Sequence, residues 1–332
     1  MNSKNPVKVA FFSTKSYDQE YFDQANQDLS ITYFEASLDE QTVNLCEGYE
    51  VVCAFVNDKL DNAVLDRLHA YGIKLIALRC AGFNNVNLDV AKELGIKVVR
   101  VPSYSPEAVA EHAVALMLSL NRKTNKAYNR VREGNFSLHG LVGFDLYKKT
   151  VGVIGTGKIG QAFCRIMKGF GTRVLAYDLY PSEALAEDGV EYVSLEDLFK
   201  NSDVVSMHCP LTPDSSHLIN EQTISMMKPG VMLINTSRGG LINTKDVIAG
   251  LKSRHIGYLG IDVYEQEESL FFKDLSAHII QDDLIMRLIS FPNVLITAHQ
   301  AFLTQEALSE IARTTLENIH AFEQGELQNS VY

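Results

Sequence analysis

The sequence predicts an α/β chain made of two parallel-sheet units. Three observations carry this expectation. Short apolar runs alternate with segments of helical periodicity along nearly the whole chain, the pattern of repeated βα units. The alternation is interrupted at Pro102 and starts again at Thr150. At 332 residues the chain is long for one domain and ordinary for two.

In the first series the apolar runs 7–12, 31–34, 51–56, 75–78 and 96–101 read as strands. Tyr17, Tyr21, Phe22 and Ala25 recur at helical spacing after the first of them. Ser37-Leu38-Asp39-Glu40 has the form of a capping box and is expected to open a helix. Helices are also expected at 60–71 and 88–94, closed by Gly72 and Gly95 as C-caps. Ser105-Pro106 has the form of an N-cap followed by proline at the first helical position. The helix behind it, 107–121, is apolar around most of its circumference. It is either a core helix or one covered by a second subunit.

The second series predicts strands at 151–154, 173–177, 204–207, 231–235, 259–263 and 294–297. Helices between them include 157–169, 223–227 and 244–252, and a long helix over 305–322 closes the chain. No tandem repeat, linker-like stretch or charge run interrupts the pattern.

Composition narrows the function classes. Apolar residues make up 46% and charged residues 21%, which excludes a disordered chain. A net charge of −11 argues against nucleic acid as a partner. An anionic small substrate stays open, because a local cationic pocket overrides the net field. The five cysteines, Cys46, Cys53, Cys80, Cys164 and Cys209, are scattered and odd in number. They read as free thiols of a reducing compartment. The segment Met1 to Pro6 lacks a signal-peptide apolar core, and the run 113–120 is far shorter than the ~20 residues that span a bilayer. A cytoplasmic protein is expected, with no membrane partner.

Gly155-Thr156-Gly157-Lys158-Ile159-Gly160 is a GxGxxG between an expected strand and an expected helix. Gly155 and Gly157 allow the tight turn and close approach to a pyrophosphate. Gly160 lets helix and strand pack closely, and the helix N-terminus offers free N–H groups to the phosphates. The next strand ends in Asp178, near the ~20-residue offset of a ribose-binding acid. A carboxylate there accepts the ribose hydroxyls of NAD and repels the 2′-phosphate of NADP.

Three further segments follow expected strands, where an α/β sheet lines its ligand crevice. Thr236-Ser237-Arg238-Gly239-Gly240 offers the planar fork of Arg238 to a substrate carboxylate. Asp262-Val263-Tyr264-Glu265-Gln266-Glu267 offers carboxylates, and Ala298-His299-Gln300-Ala301-Phe302 offers an imidazole. A carboxylate against an imidazole favours the protonated ring and fixes its tautomer, as a general acid requires. Glu111-His112 lies inside the apolar helix and reads as packing or an interface. His208-Cys209-Pro210 lacks metal-ligand spacing, and no metal is expected.

With these blocks in place, the chain resembles the D-isomer-specific 2-hydroxyacid dehydrogenases from end to end. The glycine loop with Asp178, the block around Arg238, Gly260-Ile261-Asp262-Val263 with Glu267, and the late His299 carry the resemblance. Further segments point to the fermentative NAD-dependent branch: Arg79-Cys80-Ala81-Gly82-Phe83-Asn84-Asn85, Val101-Pro102-Ser103-Tyr104-Ser105-Pro106, His208-Cys209-Pro210-Leu211-Thr212 and His299-Gln300-Ala301-Phe302. Many members have proline where this chain has Glu268, at the edge of the motif.

The resemblance implies two doubly wound parallel-sheet domains with a cleft between them. One is a flavodoxin-like substrate domain, discontinuous over 1–101 plus 301–332. The other is a Rossmann NAD-binding domain over 102–300. It implies that Arg238 binds the 2-oxoacid carboxylate, that His299 gives a proton to the carbonyl oxygen, and that Glu267 keeps His299 protonated. Backbone N–H groups of Ala81 and Gly82 would hold the carboxylate, and Tyr104 and Phe302 would wall the methyl end. Lys158, Ile159, Asp178, Cys209, Pro210, Ser215, Thr236, Ser237 and Asp262 would line NAD with the three glycines. The substrate expected is pyruvate, in a homodimer or homotetramer to which the helix 107–121 contributes. A dehydrogenase of larger, branched 2-oxoacids and a non-catalytic NAD sensor are the rival readings.

Overall fold

The computed structural model describes residues 6–332; Met1 to Asn5, including most of the segment weighed above as a signal peptide, lie outside the described residues. The chain divides into two compact units, Met1–Ser105 with Leu303–Tyr332, and Pro106–Phe302.

The first unit runs β1 (Lys8–Phe11), α1 (Ser16–Ala25), β2 (Ser30–Tyr33), β3 (Val51–Ala54), α2 (Asn62–Ala70), β4 (Leu75–Leu78), α3 (Leu88–Glu93) and β5 (Lys97–Arg100). Its five strands are all parallel, in the order β2-β1-β3-β4-β5. β3 and β4 are buried along their whole length, as expected of strands covered on both faces. Gly72 and Gly95 take positive φ just past α2 and α3, the conformation that lets a helix end.

The helix expected from Ser37 does not form. Thr42 Oγ1 donates to the Ser37 carbonyl at 2.7 Å and accepts the Asp39 N–H at 2.9 Å. The Asp39 carboxylate accepts the N–H groups of Gln41 and Thr42. Side-chain bonds to nearby backbone compete with the helix here, and only a single tight turn, Val43–Cys46, follows.

The second unit runs α4 (Pro106–Arg122), α5 (Thr124–Arg132), β6 (Thr150–Ile154), α6 (Lys158–Gly169), β7 (Arg173–Tyr177), α7 (Glu183–Glu187), β8 (Glu191–Tyr192), α8 (Leu195–Asn201), β9 (Val204–Met207), α9 (Glu221–Met226), β10 (Val231–Asn235), α10 (Thr244–Lys252), β11 (Ile256–Ile261), α11 (Asp283–Ile289) and β12 (Val294–Ile296). All seven strands are parallel, in the order β12-β11-β10-β9-β6-β7-β8. Chain order reverses between β6 and β9, which makes the carboxyl ends of those two strands the switch point. α4 packs on α6, β10 and β11 of its own unit. Ala110, Ala113, Leu116 and Met117 are buried there, so much of its apolar circumference is core.

The last helix, α12 (Gln305–Glu323), returns to the first unit and packs on α1, β4 and β5. Asn318 Nδ2 donates to the Arg100 carbonyl at 3.0 Å. Among the described residues no helix is long and apolar enough to cross a membrane.

Candidate active site

The glycine loop follows β6 at the switch point. A Cβ on Gly155 would stand 2.5 Å from the Cys209 backbone nitrogen, and one on Gly160 would stand 2.0 Å from the Gly155 carbonyl oxygen. Both positions therefore require glycine, Gly155 also because its φ is +93°. At Gly157 nothing lies within 4 Å, so a phosphate can approach the backbone there. Gly157 and Lys158 are exposed at the start of α6, where Gly157 is the N-cap. Ile159 is half-buried, and Thr156 is buried between Gly155 and Gly157.

Asp178 follows β7 and turns its carboxylate to this loop. Its Oδ2 accepts the Thr156 N–H at 2.5 Å and the Thr156 hydroxyl at 3.1 Å, and Oδ1 accepts the Tyr180 N–H. Cys209 and Pro210 follow β9 on the other side of the switch point. Ser215 Oγ donates to the Pro210 carbonyl at 2.8 Å and fixes that loop. Burial pushes the Cys209 thiol up to about 11, so it is protonated at neutral pH. The residues present fit a dinucleotide: a crowded cradle, one open glycine, a helix N-terminus and a carboxylate beside the loop.

The three chemical candidates follow β10, β11 and β12, three adjacent strands. After β10, Asn235 holds the turn by accepting the Ser237 N–H at 3.0 Å and donating to the Arg238 carbonyl at 2.8 Å. Ser237 Oγ donates to the Cys209 carbonyl, tying this turn to the cofactor loop. Thr236 is buried, with a hydroxyl that finds no partner among the described residues. A Cβ on Gly239 would meet the Tyr264 backbone at 2.1 Å, so the turn bearing Arg238 lies against the turn bearing Glu267.

After β11, Glu267 splits its carboxylate. Oε2 accepts the Tyr264 N–H at 2.8 Å, and Oε1 lies 2.7 Å from His299 Nδ1. With Nδ1 committed to the carboxylate, Nε2 is the ring nitrogen left for a reacting group. Both side chains keep about a fifth of their surface exposed, 21% and 23%. After β12, His299 itself adopts φ +54°, an uncommon conformation for a non-glycine residue. Asp262 holds it there. Its carbonyl accepts the His299 N–H at 2.7 Å, and its carboxylate accepts those of Gln300 and Ala301 at 2.9 and 2.8 Å. Asp262 is fully buried, and its side chain serves this turn directly.

Of the substrate candidates, Phe302 is buried in the second unit, while Ala81, Gly82 and Tyr104 lie in the first. Arg100 donates to the Ala81 carbonyl at 2.8 Å, and the Cys80 thiol donates to the Gly82 carbonyl. Beneath them Arg79 is wholly buried, paired with Asp18 at 3.3 Å and packed between the Phe11 and Phe55 rings.

Sequence analysis read His112 as packing or an interface and gave it no role at the site. Its Nε2 stands 3.0 Å from Thr297 Oγ1 and 3.4 Å from Asp262 Oδ1, directly behind the His299 turn. The available signal was a Glu-His pair inside an apolar helix, where a polar side chain needs a partner. His217 was also passed over: its Nε2 is 2.6 Å from Glu265 Oε1, and its backbone N–H donates to Gly240. Among the described residues no group of three or more His, Cys, Asp or Glu is placed to hold a metal ion.

A dinucleotide cradle, an arginine turn and a carboxylate-held imidazole on neighbouring strand ends define a nicotinamide-dependent dehydrogenase. Residues 114–301 match the family described as D-isomer specific 2-hydroxyacid dehydrogenase, NAD binding domain. The D-lactate dehydrogenase of Escherichia coli (strain K12) is 56% identical over 322 residues, covering 96% of this chain and 98% of that protein. The apo-structure of D-lactate dehydrogenase from Escherichia coli superposes with a TM-score of 0.91 at 53% identity, covering 98% of this chain and all of that one. D-Lactate dehydrogenase from Aquifex aeolicus, solved with NAD and lactic acid, gives a TM-score of 0.87 at 37% identity, covering 97% and 98%. The chain belongs to the D-isomer-specific 2-hydroxyacid dehydrogenase family. It is an NAD-dependent oxidoreductase.

Proposed function

We propose that the protein is a D-lactate dehydrogenase that reduces pyruvate reversibly to D-lactate with NADH. The observation that carries this reading is the His299–Glu267 pair at 2.7 Å, one strand end away from the Arg238 turn. Bound at the glycine loop, NADH supplies the hydride that the carbonyl carbon accepts. The residues of the chain do the rest. Arg238 binds the substrate carboxylate through its planar fork and polarises the carbonyl. His299 Nε2–H donates its proton to the carbonyl oxygen as negative charge develops there. Glu267 holds the ring by Nδ1 and stabilises its charged form. Ala81 and Gly82 contribute backbone N–H groups to the carboxylate, and Tyr104 and Phe302 wall the methyl end. Gly155, Gly157, Lys158, Ile159, Gly160, Asp178, Cys209, Pro210, Ser215, Thr236, Ser237 and Asp262 form the NAD site. In this reading the unit Met1–Ser105 with Leu303–Tyr332 is the substrate domain and the unit Pro106–Phe302 the NAD domain, limits a few residues from the expected 1–101 plus 301–332 and 102–300.

The test is the initial rate of NADH oxidation with glyoxylate, pyruvate, 2-oxobutyrate and 2-oxoisocaproate, with chiral analysis of the pyruvate product. A kcat/KM peak at pyruvate and D-lactate as product bear the reading out. A peak at the branched acid moves the substrate and keeps the chemistry. NADH binding without turnover sinks the enzymatic reading.

The reading includes a homo-oligomer in the cytoplasm. α5 buries no residue, and the stretch after it exposes Phe136, Leu138 and Val142 at 74%, 80% and 82%. An apolar arm of this size is ordinarily covered by a partner surface. Five free cysteines suit a reducing compartment. Sedimentation of the protein and of Leu138→Glu tests the assembly, with a shift to smaller species expected in the variant.

A further inference from the structure

We propose that His112 is a positioning residue for His299, acting through Thr297 and Asp262; the proposal rests on the reading of His299 as proton donor.

The hydrogen positions follow from the partners. Thr297 Oγ1 lies 2.5 Å from Asp262 Oδ1, so its single proton goes to the carboxylate. The same oxygen lies 3.0 Å from His112 Nε2, and with its proton already committed it accepts there. His112 Nε2 therefore carries a hydrogen, and Asp262 Oδ1 at 3.4 Å shares it.

The network has one output. A fully buried carboxylate is held in place only by donors. Those of Asp262 are Thr297, Gln300, Ala301 and His112, and three of the four lie in the segment 297–301. Burial by itself raises the Asp262 carboxyl, and these donors, His112 first among them, hold it below the usual carboxylate range. The fourth donor comes from outside the segment. It stands on α4, which is packed into the core against α6, β10 and β11. His112 thus fixes the carboxylate to a rigid element, and the carboxylate fixes a left-handed turn that would otherwise relax. The side chain aimed by that turn is His299, whose geometry toward the substrate decides the rate.

The experiment uses the full chain and the variants His112→Leu, His112→Gln, Thr297→Val, the double variant His112→Leu/Thr297→Val, and His299→Gln. Four quantities are measured: kcat and KM with pyruvate, Kd for NADH by fluorescence, and the melting temperature. We expect His112→Leu and Thr297→Val each to lower kcat about tenfold, the usual scale for a residue supporting a reacting one. Kd for NADH should change less than kcat, since neither His112 nor Thr297 is itself placed in the NAD site and only Asp262 is shared with it. The double variant should lose less than the product of the two single losses, because Thr297 and His112 each bond Asp262 and are coupled through their own hydrogen bond. His112→Gln, which keeps an N–H donor, should recover most of the loss. Losses that multiply in the double variant overturn the proposal, as does a loss carried equally by NADH affinity. If His112→Leu does not fold, Thr297→Val and His112→Gln decide the matter alone: full turnover in Thr297→Val overturns it. His299→Gln separates the two levels. If it keeps turnover, the proton-donor reading fails. If it is inactive while Thr297→Val and His112→Leu are fully active, only the positioning role fails.

Discussion

His299 Nδ1 stands 2.7 Å from one oxygen of Glu267, and the other oxygen of that carboxylate takes the Tyr264 N–H at 2.8 Å. The carboxylate is thereby fixed by its own turn before it meets the ring. Glu267→Gln keeps the shape and removes the charge. We expect kcat for pyruvate reduction to fall by about 100-fold, within the span of general acid–base contributions. NADH affinity should hold within about threefold, because the pair lies outside the glycine loop. Stopped-flow rates with fluorescence titration check both numbers, and an unchanged kcat refutes the role given to Glu267.

Arg238 sits in a turn whose backbone is held from both sides, by Asn235 and by the close approach of Gly239 to Tyr264. Arg238→Lys keeps the positive charge and loses the bidentate fork. KM for pyruvate is expected to rise by about 10- to 100-fold, as two charge-assisted bonds become one. Oxamate, a carboxylate that binds without reacting, should weaken in parallel in an inhibition assay.

Asp178 bonds to Thr156 in the glycine loop and, in the proposed NAD site, repels a 2′-phosphate. Asp178→Ala removes the repulsive element. The ratio of kcat/KM for NADPH to that for NADH should rise at least about tenfold. Part of the change should be a loss with NADH, since the Thr156 N–H loses its acceptor. Parallel assays with the two cofactors settle it, and an unchanged ratio would remove Asp178 from the ribose site.

His208 gives a pH dependence of stability. Its Nδ1 is buried without a partner among the described residues, its Nε2 meets Ser206, and burial pushes the ring down to about 3. The folded ring thus stays neutral where the unfolded one, near its ordinary pKa of about 6.5, takes up a proton. Protons bind the unfolded state preferentially between those values, so stability is full above about pH 6.5 and falls as pH is lowered from there. The slope from this one residue is at most about 1.4 kcal/mol per pH unit. Melting temperatures between pH 7 and pH 5 should fall less steeply in His208→Gln than in the parent. Equal slopes would show that the ring is not kept neutral.

Strand positions were legible because both sheets are buried and parallel, which writes each strand as an apolar run. The expected limits at 75–78, 173–177, 204–207 and 231–235 match β4, β7, β9 and β10. The failure at Ser37 was also local: a Ser-x-x-Glu spacing specifies a cap only when no nearer side chain captures the backbone, and Thr42 does so here. Short helices such as α5, α7 and α11 span too few turns for their periodicity to read. Arg238, Glu267 and His299 were legible because each follows an apolar run. His112 was not, because its partners Thr297 and Asp262 are more than 140 residues away in the chain. Only folding reveals that α4 passes behind the turn.

The first unit is made of both ends of the chain, with α12 supplying cover for β4 and β5. Order of synthesis therefore matters. A ribosome adding ~5–20 residues per second needs roughly 10–40 seconds to make the intervening unit. Throughout that interval one face of the five-stranded sheet lacks its covering helix, and by its end the inserted unit has all its own strands. The unit with the glycine loop can thus reach its native form first, and the discontinuous unit is completed last, when the returning helix closes over it.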